Sequence, residues 1–196
     1  MKTTLTPSRR ALAPLALAAL LSGCSLMPGP AASTRQAAMT RAIGAGDKVV
    51  MLPVSNYTDV PQAGLRVEAL LEPALRAQGL RQLVVYPPGM STESLFEPGE
   101  RKAQAEAEKW AKAQGMRWAV SGAVNEWRYK TGLDGEPAVG MMIQVTDLTS
   151  GEVVYSAAGG RTGGARQALA AVGQQLAAEL AAGIRVAPAG AAPGGR

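Results

Sequence analysis

Between Arg117 and Arg161 three segments with strand character follow one another, separated only by turns. "RWAVSGAVNEWRYK" (117–130) leads through the loop "TGLDGEP" into "AVGMMIQVTDLT" (138–149), and "SG" turns that into "EVVYSAAGGR" (152–161). Strands joined by such short connections pair antiparallel, because a parallel neighbour needs a crossover of a dozen residues or more. In the middle segment Met141, Ile143 and Val145 alternate with Met142, Gln144 and Thr146. One face is therefore expected to be packed and the other more polar, with helices covering one side. A chain committed to this sheet must supply the covering helices from elsewhere.

The remaining patterns supply them. From Ala165 to about Ile184, Leu169, Val172, Leu176, Leu180 and Ile184 form a continuous helical stripe. Upstream, "KVVMLPV" (Lys48 to Val54) is a β-prone apolar run suited to a sheet centre, and "SNYTDVP" after it reads as a loop. From Gln62 to Gln78, Val67, Leu70, Leu71, Ala74 and Leu75 recur at helical spacing, with Gly79 at the stop; Pro73 argues for a kink or a local break, but one helix is expected. "LRQLVVYP" (Leu80 to Pro87) is a second strand. "EPGERKAQAEAEKWAKAQG" is an amphipathic helix ending at Gly115, with Trp110 as its core anchor. The order β-α-β-α-β-β-β-α predicts an α+β sandwich, a mixed sheet with a long antiparallel portion and helices packed on it. There is no internal repeat. The domain is expected over residues 47–186, followed by a disordered tail, "APAGAAPGGR", over 187–196.

The beginning of the chain is of another kind. Lys2, Arg9 and Arg10 precede "ALAPLALAALL", an apolar run too short to span a bilayer and characteristic of an export signal over residues 1–23. Leu21, Ser22, Gly23 and Cys24 resemble a bacterial lipobox. That resemblance makes Cys24, the one cysteine of the chain, the lipid-bearing first residue of the mature protein. Three acyl chains, each buried methylene contributing about 0.8 kcal/mol, hold such a protein stably on a membrane. Ser25 stands where inner-membrane retention would use Asp, which implies sorting to the periplasmic face of the outer membrane. Residues 24–46 read as the lipidated cysteine and a flexible, Pro/Gly-rich tether.

Processing changes the electrostatics and narrows the chemistry. The formal charge of +5 includes Lys2, Arg9 and Arg10; without them 17 basic residues face 15 acidic ones, leaving +2. A nucleic-acid partner loses its main support. The chain has no histidine, and its cysteine is committed to lipid. Ser-His-Asp and Cys-His arrangements are excluded, and no metal site or cofactor is expected.

Three places could still carry function. Asp134 and Glu136 of "TGLDGEP" could act as acid and nucleophile in glycoside hydrolysis. Asp-Gly is equally the chemistry of a tight turn, and nothing else of a glycosidase cleft is visible. Trp127 and Tyr129 share a face of the long strand opposite to Trp118, which makes them candidates for a partner, membrane or sugar contact. Plain core packing of both tryptophans is the other reading. "GGRTGGAR" (159–166), with Arg161 and Arg166, could hold an anion at the start of the last helix or serve only as a flexible connection.

The segments "VVMLPVSNYTDVPQAGLRVEALLEPALRAQG", "VVYPP", "VSGAVNEWRYKTGLDGEPAVG" and "VTDLTSGEVVYSAAGGRTG" resemble the PelC family, lipoproteins of Pel exopolysaccharide export. The similarity covers residues 48 to 184, and "EWRYKTGLDGEPAVG" is its most specific part. The resemblance implies a non-enzymatic protein forming a closed dodecameric ring beneath the outer membrane, next to the porin PelB. It places Asp134, with Glu136 beside it, at the ring lumen, where repeated carboxylates would guide a cationic, amino-sugar-rich polymer. It further implies a membrane-facing rim that carries a Trp in some members, where this chain has Gly164; Arg161 belongs to the same stretch. A lipoprotein activator of a peptidoglycan synthase shares the signal, the tether and a similar element order. Such activators cross the periplasm on long tethers, whereas residues 25–46 reach at most about 75 Å. An enzyme acting on the polysaccharide is the third reading, which loss of turnover in Asp134→Asn would mark.

Overall fold

The longest pairing joins β4 (Trp118–Tyr129) to β5 (Pro137–Asp147), antiparallel from Trp118 opposite Asp147 to Tyr129 opposite Pro137. The structure, a computed structural model, describes residues 32–87, 99–131 and 135–188. β6 (Val153–Thr162) continues the antiparallel sheet on one side of β5. On the other side β2 (Val49–Asn56) lies parallel to β4, with the short β3 (Leu83–Val85) parallel to β2 at the edge. With β1 (Ala32–Gln36), the six-stranded mixed sheet runs β1-β6-β5-β4-β2-β3. The α+β architecture read from the sequence is the one observed.

Helices α1 (Ala63–Ala77) and α3 (Leu169–Ala181) lie on one face and enclose the main core, where Val67, Leu71, Leu75, Leu176 and Leu180 meet Trp118, Val120, Met141 and Ile143. α2 (Gly99–Ala113) departs from the expectation of one covered side. It packs on the opposite face, closing a smaller core of Val50, Leu52, Tyr86, Ala107, Ala111 and Ala119. The doubly apolar run of β2 requires this, because Val49 and Met51 fill one face while Val50 and Leu52 fill the other. Trp110 only partly enters the second core, meeting Tyr86 edge-on at a centroid distance of 5.3 Å.

Pro73 does not break α1, which runs through it. The carbonyl that loses its partner there is that of Ala69, an exposed residue, so solvent can satisfy it. Across the register shift between Met51 and Val54 the chain passes Pro53, and the Val54 N–H leaves the ladder to donate to Glu68 Oε1 at 2.8 Å. Gly64 sits so close to the Val54 carbonyl that a Cβ would approach its oxygen to 2.4 Å. Helix and bulge are fitted to each other at that point.

The ordered body begins earlier than the sequence suggested. Residues 32–36, expected in the flexible tether, form β1, paired with β6 from Ala32 opposite Arg161 to Gln36 opposite Ala157. All five are exposed, so no apolar alternation marks them; their order comes from backbone pairing at the sheet edge. Gln36 Nε2 adds a 2.7 Å hydrogen bond to the Glu179 carbonyl of α3. Beyond β1, Met39 and Ile43 are buried in the main core, and Arg41 reaches the buried Asp147 carboxylate at 2.6 Å. Ile43 also bridges to Val186, and its carbonyl accepts the Ala187 N–H. Of the tail expected over 187–196, Ala187 is thus tied to the body, while residues 189–196 and the signal lie outside the described residues.

Two outcomes follow. Ile43→Ala should lower the unfolding free energy by about 2–4 kcal/mol in urea titrations, a loss that a position in a tether would not produce. Burial raises the Glu68 pKa above 4.5 against the opposing effect of the Val54 hydrogen bond. The folded state therefore holds this proton longer than the unfolded chain, and the contribution of Glu68 to stability declines as pH rises from the unfolded towards the folded pKa. Glu68→Gln should gain stability relative to the parent between pH 4 and pH 7, as read by paired denaturation curves.

Candidate functional site at the sheet end

The strand directions gather several candidate residues at one end of the sheet. β2, β4 and β6 terminate there at Asn56, Tyr129 and Thr162, while β5 and β1 begin there at Pro137 and Ala32. α1 and α3 start from the same end. The hairpin between β4 and β5 closes with the Lys130 N–H donating to the Glu136 carbonyl at 2.8 Å. Gly135 adopts φ +49°, a left-handed value that glycine accommodates without strain. Glu136 is half-buried at the base of this hairpin. Asp134 and Cys24 lie outside the described residues.

A second loop shapes the surface beside β4. Asn56 Oδ1 accepts from the Thr58 N–H at 3.0 Å and the Thr58 hydroxyl at 2.7 Å, while Asn56 Nδ2 donates to the Val60 carbonyl at 2.9 Å. These local bonds fix "NYTDV" as a compact turn and leave Tyr57 and Asp59 projecting. The Tyr57 N–H donates to the Val124 carbonyl, placing the loop against β4. An open groove of about 520 Å³ results, lined by Tyr57, Asp59, Asn125, Glu126, Arg128 and Gly140 among others. Glu126 and Arg128, neighbours on one face of β4, pair along its wall at 2.9 Å. From the sequence "SNYTDVP" reads only as a loop; its proximity to Glu126 depends on the parallel register of β2 on β4.

Trp127 requires a correction. Of its two readings, a partner or membrane contact and plain core packing, the second holds: it is 3% exposed and shares the main core with Trp118, on the same face and not the opposite one. The register shift between Val124 and Glu126 inserts one residue, so the inward parity of Trp118, Val120 and Val124 passes to Trp127. Its ring lies against α3, where a Cβ on Gly173 would come within 2.9 Å of it. Tyr129 does stand out, 53% exposed, with its hydroxyl accepting the Leu169 N–H at 3.2 Å at the start of α3. Arg161 is held by an ion pair with Glu179. Gly164 is exposed, its N–H donates to Gln167 Oε1 at 2.9 Å, and a side chain there would meet open space.

Chemically, this end offers carboxylates, an amide, cations and tyrosines. Among the described residues no group of three His, Cys, Asp or Glu could hold a metal ion. No helix among them is long and apolar enough to cross a membrane.

These features define an α+β protein whose candidate working surface is one end of a mixed sheet. No protein-family model and no curated protein matches the chain. Among solved structures it is similar to the PelC dodecamer from Paraburkholderia phytofirmans in space group P6, at 36% identity over 80% of this chain and 99% of that one, with a TM-score of 0.67. A single-substitution variant of that PelC dodecamer in space group C2 gives 36% identity, 80% and 100% coverage and a TM-score of 0.68. The lipoprotein GNA1162 from Neisseria meningitidis is more distant, at 15% identity over 68% of this chain and 94% of that one, with a TM-score of 0.49. The chain belongs to the PelC family.

The packing of Trp127 generates a test. Gly173→Ala should cost about 1–3 kcal/mol in chemical denaturation by driving a methyl into a rigid indole and Leu70, whereas Gly164→Ala should stay within about 0.5 kcal/mol.

Proposed function

We propose that this protein is a non-enzymatic outer-membrane lipoprotein, anchored through acylated Cys24, that closes into a periplasmic ring and guides cationic Pel exopolysaccharide to the porin PelB. The observation that carries this reading is family membership at 36% identity, with PelC relatives that are dodecamers in two space groups. Recurrence in two lattices favours an assembly that belongs to the molecule. In a ring, each side chain that faces the opening is repeated once per subunit. Asp134 and Glu136, on or beside the β4–β5 hairpin loop, would then form circles of carboxylate that concentrate a polycation by focusing the field across the opening. Guidance of this kind needs weak contact at many places and no covalent step, since tight binding would arrest the polymer.

The early start of β1 supports a position close to the membrane. Eight residue steps separate Cys24 from Ala32, a reach of at most about 28 Å. A synthase activator that must cross the periplasm would need a far longer leash.

Light scattering of the mature chain should give one discrete oligomer across a wide concentration range. Asp134→Asn with Glu136→Gln should leave that mass unchanged and reduce polysaccharide secretion at least several-fold. A chain that stays monomeric in detergent micelles and beside its porin, or secretion untouched by the double substitution, would overturn the reading.

A further inference from the structure

Two faces on opposite sides of the subunit lack charge where water would favour it. The first is the outer side of α3. Its exposed positions are Ala170, Ala171, Gln174, Gln175 and Ala178, with Ala182 at the cap, while Glu179 beside them is half-buried and held by Arg161. A helix on a solvated surface ordinarily turns charged residues outward. The other two helices do so: α1 exposes Arg66 and Arg76, and α2 exposes Glu106, Glu108, Lys109 and Lys112.

The second is the part of the sheet that α2 leaves bare. α2 lies over β2, and the small core beneath it reaches β4 only at Ala119. Further across, the side chains turned away from α1 and α3 are Ser121 of β4, Met142 and Gln144 of β5, and Ser156, Ala158 and Gly160 of β6. None of them belongs to either core, and none is charged. Glu126 and Arg128, paired with each other, and Arg35 of β1 mark the rim. An open sheet face in water is normally polar, and Ala and Gly are poor strand formers. Gly160 has no reason within the subunit to lack a side chain. Its φ is not left-handed, and beyond its chain neighbours a Cβ would meet nothing nearer than the Val139 carbonyl oxygen at 3.8 Å. Glycine inside a strand marks a place where another backbone comes close.

Depletion of charge characterises the core of a protein–protein interface. The two faces also match in length. The 13 residues of α3 span about 20 Å, and β5 from Ala138 to Thr146 runs about 26 Å, so the bare face can receive the helix along its strands. We infer that α3 of one subunit packs on the bare sheet face of the next. Because the joined faces differ and lie on opposite sides, the contact is head-to-tail, the type that closes identical subunits into a ring. This inference rests on the ring reading and adds which surfaces meet.

The test uses the mature chain in detergent, with its mass read by light scattering. Ala158→Arg on the sheet face and Ala178→Arg on the helix face each put a charge and a long side chain into the contact. Each should reduce the parent oligomer to monomers that keep the parent's circular dichroism spectrum. Ser156→Arg and Gln175→Arg probe the same two faces at independent positions and should act alike. Ala69→Arg, on the exposed side of α1, should leave the mass unchanged. Mixed in equal amounts, the Ala158→Arg and Ala178→Arg chains should form a species of two subunits, because each keeps the face that the other has lost. Parent-sized oligomers from the variants of either face, a mixture that stays monomeric, or an equal loss of mass in Ala69→Arg would overturn the inference. Such a result beside an intact parent ring removes this contact alone, whereas a parent that is itself monomeric, in detergent and beside its porin, removes the export reading and this contact with it.

Discussion

The pairing of β4 with β5, and the single extra residue within it, governs much of what surrounds it. Before the bulge, alternate residues of β4 face the helices in strict order; after it the parity changes and Trp127 turns inward. The indole then occupies the place that α3 leaves open by having Gly173. Tyr129, two residues on, comes out at the rim where its hydroxyl meets the first turn of α3. One insertion thus closes the core and sets how the hairpin leaves the sheet.

The opposite edge is fixed by different means. β1 buries no apolar side chain and is retained by its ladder to β6 and by Glu179, which receives the Thr34 hydroxyl and the Arg161 guanidinium while its carbonyl accepts from Gln36. Just after it, Arg41 pairs with Asp147, the one charged side chain buried among the described residues. A carboxylate sealed from water without that partner would be costly. The segment from Ala32 to Ile43 is consequently part of the domain.

The major elements were legible because each writes a period into the sequence. Leu169 to Ile184 carries a helical stripe and Met141 to Val145 a strict alternation, and both appear where the pattern places them. β1 could not be read, since "ASTRQ" is exposed throughout and its order lies in backbone bonds to a strand more than a hundred residues away. The face of Trp127 was misjudged for a related reason: a bulge is a property of the pairing and leaves no mark in one strand alone. Tyr57 and Asp59 were passed over as loop residues because their proximity to Glu126 exists only once β2 lies parallel to β4.

The placement of β1 also has a mechanical consequence. A tug on the chain ahead of Ala32 runs along the strand, whose ladder to β6 lies across that direction. The bonds are then strained side by side and must yield together, instead of parting one after another like a zip. The edge strand through which the chain enters the domain thus resists being slid out of the sheet.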